Sequence, residues 1–261
     1  RLSEARFKAD MGLYSDVLRA RTYAATAAQR RVSAEKNLKL AKRGLGLLLG
    51  FDGNADAQGD MTEIKVAPLE RYNASALERS DLRAMRIMRE NAGTNVSLAR
   101  SEYLPMIGVG GAYYMNDHET LFGAEGRSWQ AAAFLRWNVF DGGLREFEAS
   151  KARLKATEAE ERLNGMRKAV QFKVYEAYLA HDEALNNAVL AEAAKKAAEE
   201  GARLVRIRYE NSLSPFVDLL DAELALEEAR AGLVMRRNEL NIAKAALSFE
   251  GGTILQDLGV E

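Results

Sequence analysis

The sequence predicts a mainly α protein with one β-hairpin, its helices long and paired as antiparallel coiled coils. Three observations carry this. Only Pro68, Pro105 and Pro215 interrupt 261 residues, so very long helices are permitted. Leu226, Leu233, Leu240 and Leu247 recur at sevens, the spacing of a coiled-coil seam. A single long stretch, Ser101 to Leu144, alternates with period two instead.

In chain order, residues 1–50 are rich in alanine, leucine, arginine and lysine. Val17, Leu18, Leu38, Leu45 and Leu48 share a helical stripe and Gly50 is a stop signal, which predicts one helix from about Tyr14. Residues 51–78 begin with the turn-rich FDGNADAQGD, after which Thr62, Ile64 and Val66 alternate with Glu63 and Lys65 ahead of Pro68. This reads as a connector with one short strand. Ser80 is expected to cap a helix that carries Leu82, Met85, Ile87 and Met88 and runs through Val96 and Leu98 to about Tyr103, ahead of Pro105.

Two strands follow. The first, Ile107 to Tyr113, alternates weakly and starts just after Pro105. In the second, Trp129, Ala131, Ala133, Leu135, Trp137 and Val139 face one way, with Gln130, Arg136 and Asn138 facing the other. At about 3.3 Å per residue the two tryptophans stand roughly 26 Å apart, close to the height of the apolar band of a membrane barrel. Trp129 and Trp137 then mark two membrane girdles, although a half-buried hairpin of a soluble protein alternates in the same way.

After Gly142 and Gly143, helical spacing persists through Leu163, Met166, Val170, Val174, Tyr178, Leu185, Val189, Ala193 and Ala197. About 65 residues at about 1.5 Å each make a rod near 100 Å, which suits a coiled coil or a tubular assembly better than a globular domain. Asn211, Ser212, Ser214 and Pro215 turn the chain, and the leucine-seamed helix returns to Gly251 and Gly252. Residues 144–208 and 215–249 are therefore expected to form one antiparallel helical hairpin.

Composition excludes several classes. A net charge of -1 leaves no footprint for nucleic acid, and the absence of cysteine removes disulfides, thiolate metal sites and cysteine nucleophiles. No apolar run of about 18 residues predicts a transmembrane helix. Arg1 begins within charged helical sequence with no signal peptide before it, so the sequence is expected to start inside a longer chain. Gly108, Gly110 and Gly111 precede a second strand rather than a helix, unlike a dinucleotide loop. His118 lies in a polar loop and His181 on a helix without a second ligand at i+4, so both read as surface histidines and no metal or cofactor is expected. Glu160 and Glu161, Glu199 and Glu200, and Glu227 and Glu228 are helical neighbours pointing about 100° apart, unlike converging catalytic carboxylates. The leucine heptad follows the acidic SPFVDLLDAELALEEA, not the basic region of a zipper transcription factor. Asp218 and Asp221 near a helix start either complement its dipole, worth about 0.3–1 kcal/mol each, or serve a function.

The chain also repeats. Sliding it by 202 positions places Arg6, Asp16, Leu18, Ala20, Val32, Leu38, Lys42, Leu45 and Gly50 on Arg208, Asp218, Leu220, Ala222, Val234, Leu240, Lys244, Leu247 and Gly252 without a gap. The second copy is preceded by a hairpin and a long helix. Their first-copy counterparts are expected upstream of Arg1, making this sequence about two-thirds of a duplicated protein.

The stretch Trp129 to Gly143 ending RWNVFDGG, the turn RYENSLSPFVDLLDAE at Arg208 to Glu223, and RSDLRAM at Arg79 to Met85, together resemble the TolC-type outer-membrane efflux protein family. The resemblance implies two repeats, each giving a β-hairpin to a trimeric twelve-stranded outer-membrane β-barrel and long helices to a periplasmic α-barrel. It divides the chain into a first-repeat tip turn and returning helix (1–50), an equatorial connector (51–78), a helix leading to the barrel (79–104), the barrel hairpin (105–141), the helical hairpin of the tunnel (142–250) and a C-terminal segment (251–261). The implied function is the exit duct of a tripartite efflux or type I secretion system, without enzymatic chemistry. Implied partners are two further copies of the chain in a homotrimer, a periplasmic adaptor, an inner-membrane pump and outer-membrane lipid.

By the same resemblance Tyr209, Asp218, Asp221 and Asp16 lie at the periplasmic entrance, with Tyr209 among the contacts that close it. Met11, Gly12, Leu13, Ser212, Leu213 and Ser214 form the tips that meet the adaptor. Ser80 stands where the family often has proline, Asp10 and Ser212 where a tip glycine is usual, and Ser214 where the best-known member has arginine. The alternative is a non-enzymatic coiled-coil scaffold or stalk, which has no reason to face an aromatic-bounded apolar band outward.

Overall fold

The computed structural model describes residues 2–10, 12–57, 65–116 and 126–258. Its elements run α1 (Leu2–Lys8), α2 (Tyr14–Leu48), α3 (Leu69–Ala76), α4 (Ser80–Ser101), β1 (Met106–Asn116), β2 (Gly126–Arg136), α5 (Leu144–Glu210), α6 (Phe216–Glu250) and α7 (Ile254–Leu258). They fall into two compact units, Arg1–Pro68 with Tyr175–Phe249 and Thr253–Glu261, and Leu69–Val174 with Glu250–Gly252. The boundary lies within α5, one uninterrupted helix of 67 residues. Among the described residues no helix is long and apolar enough to cross a membrane.

In the first unit the heptad governs packing. Leu219, Leu226, Leu233 and Leu247 of α6 are buried and Leu240 half-buried. The seam of α5 differs from the sequence reading. Buried or half-buried residues recur at sevens through His181, Ala188, Lys195, Ala202 and Tyr209, whereas Leu185 and Val189 are 41% and 62% exposed. Apolar residues line more than one face of α5, so periodicity selected the wrong one from Leu185 on, while Leu163, Met166, Val170, Val174 and Tyr178 are buried or half-buried as expected. His181 is accordingly no surface residue. It is buried, and burial lowers its pKa, with the charge of Lys244 adding to the effect. Ion pairs Arg206–Glu223, Arg230–Glu199 and Arg237–Glu192 flank the α5–α6 seam, as charges do beside a coiled-coil core.

The helix α2 begins at Tyr14 as expected, but its stripe is corrected in part: Val17 is buried and Leu45 half-buried, while Leu18, Leu38 and Leu48 are exposed. The loop after α2 folds back: the Ala55 N–H donates to the Lys42 carbonyl, and a Cβ on Gly46 would stand 2.1 Å from the Gly53 carbonyl oxygen.

In the second unit Tyr72 and Ala76 of α3 and Leu82 of α4 are buried, as are Leu163, Val170 and Val174 of α5. The short helix α3 occupies part of the connector, where the sequence reading placed only a strand; Thr62 and Ile64 of that strand lie outside the described residues, and 65–68 contain none. Ser80 is not the cap of α4. Arg79 is, with extended backbone, and Ser80 is the first helical residue, where a proline would lose nothing because that N–H has no helical acceptor.

β1 and β2 form an antiparallel pair in the register Met106↔Arg136 to Asn116↔Gly126. One face carries Ile107, Val109, Tyr113, Trp129, Ala131, Ala133 and Leu135, with Val109 82% and Trp129 78% exposed. On the other face the Phe134 ring lies across Gly108, where a Cβ would meet it at 2.3 Å. The ladder stops one residue short of Trp137. In this register Trp137 faces Pro105, which has no N–H to continue the pairing, and its indole Nε1–H donates instead to the Tyr103 carbonyl at 3.4 Å. Beyond it Asp141 accepts from the N–H groups of Gly143 and Arg145, and Gly142 and Gly143 take φ of 70° and 89°, so the FDGG motif is the N-terminal cap of α5.

Candidate functional site

The two turns of the first unit, one between α1 and α2 and one between α5 and α6, share one backbone design. Two residues beyond the end of each helix before the turn stands a residue with positive φ, Asp10 at 56° and Ser212 at 61°, which are 202 positions apart. The Asp10 N–H donates to the Phe7 carbonyl at 3.1 Å and the Ser212 N–H to the Tyr209 carbonyl at 3.0 Å. Phe7 meets Tyr14 with ring centroids 5.4 Å apart, and Tyr209 meets Phe216 at 5.5 Å. An ion pair spans each turn with its charges exchanged, Glu4–Arg21 in one and Arg206–Glu223 in the other. At the far ends of α2 and α6 the design recurs again: Phe51 and Thr253 donate to the carbonyls of Gly46 and Ser248 at 2.8 Å, beside Gly50 and Gly252 with φ of 78° and 71°. The duplication read in the sequence is thus present in the backbone.

Asp10 and Ser212 show how the glycine-poor turns are made. A left-handed backbone is cheapest for glycine, but aspartate is among the residues that tolerate it, and the Ser212 hydroxyl is held by a hydrogen bond.

Arg6 joins the two turns. Its Nη1 donates to the Tyr209 carbonyl at 2.6 Å, its Nη2 to the Ser212 hydroxyl at 2.7 Å, and its guanidinium carbon lies 4.5 Å from the Tyr209 ring centroid. Tyr209, Phe216 and Leu219 form a buried cluster against which Ala20, Val205 and Leu220 pack. Sequence reasoning marked Arg6 as a repeated position without giving it a role. The paired aromatics at 7 and 14 and at 209 and 216 were the missed signal, concealed because phenylalanine and tyrosine exchange places between copies.

The other expected site residues lie around these turns. Asp218 sits in the first turn of α6 and Asp221 a turn further on, both exposed, while Asp16 in the first turn of α2 is half-buried. Leu13 and Leu213 are 68% and 69% exposed, Gly12 is half-buried, and the Ser214 hydroxyl is buried without a partner among the described residues. Met11 and His118 lie outside the described residues. Among the described residues no cluster of His, Cys, Asp or Glu could hold a metal.

Residues 72–252 match the outer membrane efflux protein family, more than half of the chain, and the chain belongs to that family. It is 25% identical over 205 residues to the outer membrane protein OprJ of Pseudomonas aeruginosa, covering 75% of this chain and 43% of OprJ. Its fold matches the outer membrane protein VceC of Vibrio cholerae with a TM-score of 0.73 and 21% identity, over 99% of this chain and 61% of VceC. It also matches the open state of the MtrE outer membrane channel of Neisseria gonorrhoeae with a TM-score of 0.74 and 19% identity, over 99% of this chain and 60% of that one. The chain therefore spans less than half of OprJ and about three-fifths of the solved channels.

Proposed function

We propose that the protein to which this chain belongs is an outer-membrane exit duct, working as a homotrimer with a periplasmic adaptor and an inner-membrane pump and carrying no chemistry of its own. The observation that carries this reading is the hairpin. Two 11-residue strands, the length that crosses an outer membrane, expose one continuous apolar face ending at Trp129. A two-stranded ribbon is marginal alone, and such a face is stable in lipid once its edges are paired in a barrel. Family membership agrees, and a scaffold or stalk would leave that face without a purpose.

In this reading residues 79–104 lead to the barrel, residues 142–250 belong to the tunnel wall, and 51–78 form the connector. The exposed rows on α2, α5 and α6, including Val32, Leu40, Val189, Val234 and Ile242, are covered by neighbouring subunits. Asp16, Asp218, Asp221 and Tyr209 belong to the periplasmic mouth, and the turn residues 11–13 and 212–214 meet the adaptor. Trp129 and Trp137 sit at the membrane girdles.

The test is deletion of the gene, with cell fractionation and drug-susceptibility profiling. The full-length protein should fractionate with the outer membrane, and deletion should sensitise cells to some exported compound in a way that plasmid-borne protein reverses. A protein found in the soluble fraction, with no conductance in planar bilayers, removes the reading.

A further inference from the structure

We propose that Arg208 is a clasp between chains, seated on the first turn of a neighbouring copy, where its guanidinium donates to the main-chain carbonyl of the partner subunit's Phe7 and to the carboxylate of the partner subunit's Asp10. The proposal rests on the trimeric reading above and goes beyond it by naming the contact.

Within the chain, copy one covers copy two. Arg6 holds the Tyr209 carbonyl and the Ser212 hydroxyl, Ala20 packs on the same cluster, and Tyr209 and Phe216 are left only 6% and 7% exposed. The equivalent ring pair in copy one has nearly the same centroid spacing but is bare, with Phe7 42% and Tyr14 53% exposed. Arg208 repeats Arg6 and is exposed, and its guanidinium has no hydrogen-bond or ion-pair partner among the described residues. The Asp10 carboxylate, where copy two has the Ser212 hydroxyl, is likewise exposed and unpartnered among them.

A head-to-tail contact that recurs around an axis closes into a ring. Copies in such a ring alternate one, two, one, two, so the contact of copy one on copy two inside each chain has its counterpart, copy two on copy one, between chains. Moving the Arg6 contact one step around carries Arg208 onto the partner subunit's Phe7 and the partner subunit's Asp10, with Ala222 in the place of Ala20. The change from a hydroxyl to a carboxylate makes the between-chain contact the charge-assisted one. It is the contact that has no covalent connection to support it.

The experiment uses full-length protein extracted from the outer membrane, with Asp10→Cys and Arg208→Cys combined and each alone. Native mass gives the stoichiometry first. Mild oxidation should then convert the double variant, and neither single one, into covalently linked trimers on a non-reducing gel. As a second measurement, Arg208→Asp or Asp10→Arg alone should speed trimer dissociation in detergent by roughly tenfold, a few-fold from each interface. The exchanged pair should return it to within about twofold of the parent. Trimers that give no cross-link between chains, or charge exchanges whose effects only add, overturn the clasp and leave the trimer standing. A native mass that is not trimeric overturns both.

Discussion

Arg79 donates through Nη1 to both the main-chain carbonyl and the carboxylate of Glu250, at 2.9 and 2.8 Å, across 171 positions of sequence. Its other edge, Nε and Nη2, grips Asp81 at 3.2 and 2.9 Å, so one guanidinium fastens the start of α4 to the last residue of α6. This gives the RSDLRAM motif a physical meaning: arginine supplies two donor edges at fixed angles, and lysine cannot. Arg79→Lys and Arg79→Ala should each cost about 2–3 kcal/mol in urea unfolding, because the side chain is largely buried and its carboxylates lose their partner. Equal stability of the lysine variant and the parent would show that the fork is unnecessary.

The same cluster sets an acid limit. The hydrogen bond from Arg79 holds the Asp81 carboxyl below the usual carboxylate range. A lowered folded-state pKa stabilises fully above the unfolded value of about 3.9, and this contribution is lost as pH falls through the folded value. Asp81→Asn should therefore be less stable than the parent at neutral pH, and the gap should begin to close only below about pH 3.9 and vanish once pH has fallen through the lower folded value. Unfolding midpoints measured at a series of pH values decide this.

The helical hairpin was legible because leucine at sevens and a lone proline carry their meaning locally. The faces of α2 and of the second half of α5 were not. In α5, Leu185 and Val189 are as apolar as a core, yet the buried seam runs through His181 and Lys195, because which of several apolar rows meets α6 depends on the relative rotation of two helices. The end of β2 needed the register, since only opposite Pro105 does the ladder stop at Arg136. At the turns, the repeat marked the positions. The reach of Arg6 across them depends on where two segments distant in sequence meet.

Gly252 and Gly201 should respond in opposite directions to alanine. Gly252 has φ of 71° and a Cβ there would stand 3.0 Å from the Cγ of Arg79, so Gly252→Ala should cost about 1–2 kcal/mol. Gly201, inside α5, has nothing within 4 Å of the place a methyl group would take, so Gly201→Ala should gain about 0.5–1 kcal/mol from helix propensity. Thermal unfolding of the two single variants checks both signs.

His181 adds a second, milder pH dependence. Burial lowers its pKa, with Lys244 nearby adding to that and Asp182 opposing it, so the folded state favours neutral imidazole. Stability should be fully present above the unfolded value of about 6.5 and should fall as pH drops through the lower folded value. His181→Leu, an apolar residue in the same heptad position, should remove that slope. A slope unchanged in the variant would assign it to other groups.

Asp218 and Asp221 test the proposed mouth of the duct. If both line it in a trimer, six carboxylates surround one axis, and a narrow low-dielectric entrance focuses their field so that cations are attracted and anions repelled. Multivalent cations should bind there and block conductance. Asp218→Asn with Asp221→Asn in the full-length channel should then reduce cation preference and divalent block, and the difference from the parent should shrink as salt screens the ring over a Debye length of about 10 Å at 0.1 M. A purely local role predicts another result. Exposed acids in the first turns of α6 complement its dipole, and their loss would cost about 1 kcal/mol or less of stability with selectivity untouched. Single-channel recordings at low salt separate the two, and unchanged ion selectivity in the double variant would remove the carboxylate ring from the transport path.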